Sequence, residues 1–130
     1  MQTGQIHLNG QIWVANVEVA TTLFERMRGL LGRRGLPEGS GLLIEACGSI
    51  HTVGMRFAID AIFIDRAWQV RRVCRNVRPG RPMIWCGWSG LRALEVATGW
   101  LDWDGVAVGT QLQWQVSGEH TASNGAAPAK

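Results

Sequence analysis

A chain of 130 residues that is 46% apolar, with seven tryptophans, has material for one core without disulfides or a structural metal. Its net charge of +3 is low for a dedicated nucleic-acid binder, and twelve of its thirteen basic residues are arginine, a bias that weakens arguments from arginine counts. No apolar run approaches the roughly 18 residues a membrane-spanning helix requires. Met1 to Gly10 shows neither a basic n-region nor an apolar h-region, so no secretory signal is read there and a cytoplasmic location is expected. Cys47, Cys74 and Cys86 form no CxxC pair and no even framework, which points to reduced thiols.

The first clear element is GQIWVANVEVA, Gly10 to Ala20. Trp13, Ala15, Val17 and Val19 recur at period two, as in a half-buried strand, and Asn9-Gly10 supplies a turn for a hairpin with residues 5–8. The period then changes. In TTLFERMRGLLGRRGL, Thr22 and Glu25 make a capping-box pattern and Leu23, Met27, Leu30 and Leu31 share a helical face, with Gly32 or Gly35 as the stop. Arg26, Arg33 and Arg34 are expected to face solvent.

LLIEA then reads as a short strand interrupted near Gly48, and IDAIFID, Ile59 to Asp65, is apolar on both faces, as in a strand inside a covered sheet. Asp65-Arg66-Ala67 can turn this strand into Trp68 to Val77 as an antiparallel hairpin, after which Pro79, Gly80 and Pro82 enforce a loop. ALEVA from Ala93 and QLQWQV, Gln111 to Val116, read as further strands, with at most a short helix or turn over TGWLDWDGV between them. SGEHTASNGAAPAK has little to bury and is expected to be disordered. The expectation is a single domain over residues 1–116 with a tail at 117–130. Its fold class is α+β, predominantly β: a small antiparallel barrel or sandwich of six to seven short strands with one main helix packed on it.

RGLLGRRGL, GLLIEACGSIHTVGMRFAIDAIFID, VRRVCRNVRPGR and ALEVATG with a closing apolar strand resemble the domain of unknown function 192 family of small bacterial and archaeal proteins, over about Trp13 to Val116. The resemblance implies a compact β-rich domain with no established activity, preceded in many members by a secretion signal that Met1 to Gly10 does not show. Another branch of the family carries Trp-Met-Lys-Asn-Thr where this sequence has His51 to Met55, and keeps an aspartate at the place of Asp60. That difference argues against His51 as a shared catalytic group.

The densest cluster of chemistry is ACGSIHTVGMRFAIDAIFID, Ala46 to Asp65. In a strand continued through Gly48, Glu45, Cys47, Ser49 and His51 would share a face, yet two Cys/His ligands make an incomplete metal set and a free cysteine is usually a small buried hydrophobe. Asp60 enters a buried strand and must be paired, by Arg56 or Arg28 or by loop amides, and Glu95 in ALEVA faces the same choice. Five arginines between Arg71 and Arg81, with Trp85 and Trp88 behind them, could track a phosphate backbone or simply form a solvated strand face. Trp100 and Trp103, like Trp85 and Trp88, suit a core or rim better than an aromatic shelf for a sugar. Asp102, Asp104 and Gly105 suit a turn better than a calcium loop.

The expected function is therefore a non-enzymatic module that binds a small molecule or a protein partner. Its candidate ligand-binding residues are His51, Thr52, Met55, Arg56, Asp60 and Glu95, with no catalytic residue, metal or cofactor assigned. The alternative is a hydrolase-like enzyme with His51 as base, oriented by Asp60 or Glu45. Nucleic acid is the less favoured partner, and a monomer or weak dimer is expected.

Overall fold

Asn9 and Gly10 both adopt positive φ, 53° and 76°, so the chain reverses in two residues and pairs Gln2–Leu8 (β1) with Gln11–Ala20 (β2). The computed structural model describes residues 2–86 and 91–117. After β2, Thr22 caps a helix, Leu23–Arg28 (α1). Its hydroxyl accepts from the Glu25 amide while the Glu25 carboxylate accepts from the Thr21 and Thr22 amides. These bonds hold the Glu25 carboxyl below its ordinary range. Gly29, at φ 52°, ends the helix after six residues.

Five further strands of the main sheet and one short ribbon complete the described elements. Ser40–Ile44 (β3), Ile59–Ile64 (β5), Val70–Val77 (β6), Arg92–Ala97 (β8) and Gln113–Val116 (β9) join β1 and β2 in the order β6-β5-β8-β3-β2-β1-β9. Ser49–Ile50 (β4) and Ile84–Trp85 (β7) form a separate two-stranded ribbon. β2 and β3 are parallel and every other pair in the large sheet is antiparallel.

Three parts of the expected architecture are corrected. The sheet is mixed rather than antiparallel, because residues 21–39 carry the chain back past α1 and deliver β3 in the direction of β2. It is not a closed barrel: where the run before β9 meets the run before β6, Gln69 and Gln111 make an isolated bridge and no strand pair forms. No main helix packs on it, since among the described residues the helix is six residues long and Met27, expected on its apolar face, is 68% exposed. Gly29 breaks the helical phase, and Leu30 is buried from the loop beyond it.

The sheet is covered on both sides. On one face Leu42, Ile44, Ile59, Ala61, Phe63 and Ala93 pack beneath Leu30, Met55 and the ribbon residues Ile50 and Ile84. On the other, Val14, Leu43, Ile62, Leu94 and Val96 pack with Leu101 and Leu112, edged by Trp13, Trp68, Trp100, Trp103 and Trp114. All six residues of β5 are buried, as its two apolar faces predict. Among the described residues no helix is long and apolar enough to cross a membrane. Trp88 and the tail from residue 118 lie outside the described residues.

Candidate functional site

β8 directs Leu94 and Val96 to one face of the sheet and Ala93 and Glu95 to the other. Glu95 lies between Leu42 of β3 and Ala61 of β5, in the middle of the face that Leu30, Met55 and the ribbon cover. It is 3% exposed, and among the described residues no donor reaches its carboxyl. Burial with no compensating bond pushes its pKa up to about 7.

Glu95 forms part of the wall of a cavity of about 260 Å³ between α1, the β3–β4 loop and the segment after β4. Leu30, Leu31, Ile44, Ile50 and Met55 supply the apolar lining. Arg26, Arg28, Cys47 and His51 supply the polar groups beside Glu95. The capping box sets where α1 starts and so aims Arg26 inward. Contrary to its expected solvent-facing position, its Nε is buried there without a hydrogen-bond partner among the described residues. Cys47 is held by its own amide, which donates to the Leu91 carbonyl at 2.7 Å, and its Sγ donates to the Ser49 carbonyl at 2.8 Å. Burial pushes the Cys47 thiol up, and Glu95 nearby adds to the shift, so the group is a neutral thiol rather than a nucleophilic thiolate.

The structure divides the six expected site residues. His51, exposed, stands at the cavity with buried Met55 and Glu95. Thr52 is wholly buried and works on the chain itself: its hydroxyl donates to the Arg78 carbonyl at 2.7 Å and accepts from the Arg81 amide at 2.9 Å. Arg56 is exposed and away from the cavity wall. Asp60 lies on the opposite face, paired with Val96, so it does not converge with Glu95 and His51. Its Oδ1 accepts from the Asn76 amide at 2.7 Å and Thr98 Oγ1 at 2.8 Å, and its Oδ2 accepts from Trp103 Nε1 at 3.2 Å. Asn76, at φ 55°, lies where the β5–β6 register shifts, so Asp60 satisfies the amide that this bulge frees.

Other candidates have partners of their own. Glu45 accepts from Arg92 Nε at 2.8 Å, and the described residues hold no bond between His51 and a carboxylate. Arg71, half-buried, donates to Asp65 at 2.8 Å, while Arg72, which donates to the Trp85 carbonyl, Arg75, which lies over the Trp103 ring at 5.1 Å, Arg78 and Arg81 are exposed. Trp103 also meets Trp13 edge to face, while Trp68 stacks on Trp114. Asp102 accepts from the Asp104 amide at 2.9 Å in a turn. No cluster of three metal-ligating side chains occurs among the described residues.

The family model for DUF192, "Uncharacterized ACR", matches residues 5–114, a span that contains the whole cavity wall. The chain belongs to the DUF192 family. An archaeal relative, a UPF0127 protein of Thermococcus sibiricus, is 28% identical over 117 residues, covering 87% of this chain and 75% of its own. Two crystal structures share the fold, each with a TM-score of 0.73. A protein of unknown function from Novosphingobium aromaticivorans is 20% identical, over 86% of this chain and 84% of its own. A candidate transcription regulator from Sinorhizobium meliloti is 22% identical, over 87% and 92%. At these identities the two structures inform the fold of this DUF192 domain.

Arg26 and the apolar wall residues other than Met55 are the site residues that sequence reasoning missed. The capping box was a usable signal for Arg26, since it sets the helical phase. Nothing local marked Leu30 and Ile44 as neighbours of Glu95.

Proposed function

We propose that this DUF192 domain is a non-enzymatic module that binds a small molecule in the cavity between α1 and the sheet. The observation that carries the reading is Glu95: a buried carboxyl without a partner costs stability, roughly 1–3 kcal/mol, and it lies in the wall of an open space. A purely structural carboxyl in this fold is Asp60, with three donors; Glu95 has a cavity in place of them. The cavity is close to the low end of the roughly 300–1,000 Å³ range of ligand clefts and mixes apolar walls with a few polar groups, as such sites do. Its groups suit holding a molecule rather than converting one. The thiol is engaged and protonated, and among the described residues no carboxylate orients the imidazole.

The test is methyl-detected NMR with small acids, amines, amides, sugars and nucleotides. Binding should shift the methyls of Leu30, Ile44, Ile50 and Met55, and Ser49→Trp, which places an indole at the cavity wall, should abolish the shifts in a folded protein. Ligands whose shifts map elsewhere, or a panel that shifts nothing, would refute the reading.

A further inference from the structure

We infer, resting on that reading, that the ligand is a small monocarboxylic acid: its carboxylate accepts hydrogen bonds from Arg26 and from the Glu95 carboxyl, and its apolar body lies against Leu30, Ile44, Ile50 and Met55. Two polar groups in the lining of this one cavity lack partners among the described residues, and their needs are complementary. Arg26 brings to the lining a guanidinium that has no acceptor among the described residues. Glu95 is a carboxyl that no described donor reaches and that, with its proton, can itself donate. A carboxylate accepts from both at once, in one charge-assisted bond and one carboxyl–carboxylate bond.

The charges around the site favour an anion over a cation. Arg26 and Arg28 come from α1, Cys47 from the β3–β4 loop and His51 from the end of β4. Cys74 and Cys86 pack at the edge of the same cluster, and the strand partners of Glu95 are Leu42 and Ala61, which do not titrate. Glu95 is the acidic group of the lining, and its burial favours the uncharged form at and below about pH 7. An ammonium group would meet two guanidiniums and require that carboxyl to ionise. A phosphate would bring further charged oxygens against apolar walls with nothing to solvate them. One carboxylate with a short hydrocarbon or aromatic body fits both the donors and the lining.

The pH dependence follows from the shared proton. Binding of the anion needs protonated Glu95, so affinity should be level below about pH 7 and fall up to tenfold per pH unit above it. The test is calorimetry and methyl NMR with isovalerate and benzoate against isopentylamine, benzylamine and isovaleramide, at about pH 6 and about pH 8.5. The acids should bind at the lower pH and weaken at least tenfold at the higher. Glu95→Gln, whose amide donates without titrating, should bind them equally at both. Arg26→Gln should weaken them at both, and His51→Ala should leave the pH profile unchanged. Amines that bind in the cavity more tightly as pH rises, and are lost in Glu95→Gln, would overturn the carboxylate assignment and leave the ligand-binding reading standing. Cavity methyls that stay unshifted by acids, amines and amides alike would overturn both.

Discussion

Two carboxyl groups buried in one sheet, Asp60 and Glu95, meet opposite fates one residue apart in pairing register. Asp60 receives three donors, so its replacement by Ala strands the Asn76 amide, the Thr98 hydroxyl and the Trp103 indole N–H. Denaturant unfolding of Asp60→Ala should show a loss of about 2–4 kcal/mol. Glu95 should behave in the reverse manner. Its folded pKa of about 7 lies above the ordinary 4.5, so below about 4.5 both folded and unfolded chains hold the proton. Between the two values only the folded chain holds it, and stability falls as pH rises through that window, by something on the order of 3 kcal/mol. Unfolding measured at about pH 5 and about pH 8 should show this decline in wild type and its loss in Glu95→Gln, which should be no less stable than wild type at the higher pH.

Each element of the chain carries local signals that its sequence shows with unequal clarity. The Asn9-Gly10 turn and the Thr22/Glu25 capping box are legible because each is a short-range arrangement that needs no distant partner. The end of α1 is not legible: its pattern places the stop at Gly32 or Gly35, and the helix ends earlier. Gly29 is the residue that ends the helix, at φ 52° and ψ −126°, a conformation that a side chain resists. Gly29→Ala should cost about 1–3 kcal/mol by thermal or chemical unfolding. Gly4 in β1 answers to a tertiary contact instead, because a Cβ there would approach the Trp114 ring to 2.5 Å. Gly4→Ala should destabilise the protein by roughly 1–3 kcal/mol and weaken the β1–β9 edge first, seen as faster amide exchange in Gln113–Val116.

At the scale of the whole molecule, buried Thr52 ties the loop at Arg78–Arg81 to the segment that follows β4, next to the cavity. Thr52→Val keeps the shape and removes the hydroxyl, so the Arg81 amide should exchange faster while the cavity methyls keep their shifts. The period-two pattern of β2, the continuous apolar run of β5, the strand over ALEVA and the Asn9-Gly10 turn were determined by sequence, because they depend on residues close along the chain. The pattern of β8 even states that Glu95 and Leu94 point opposite ways. What it leaves open is which layer each one meets, since both faces of this sheet are apolar. Only the tertiary structure decided that, through the parallel β2–β3 pairing and the match of Ala61, not Asp60, with Glu95. The physical reason is that a slip of one residue in register exchanges the faces of a strand. Register is set by long-range packing that no local run of residues contains.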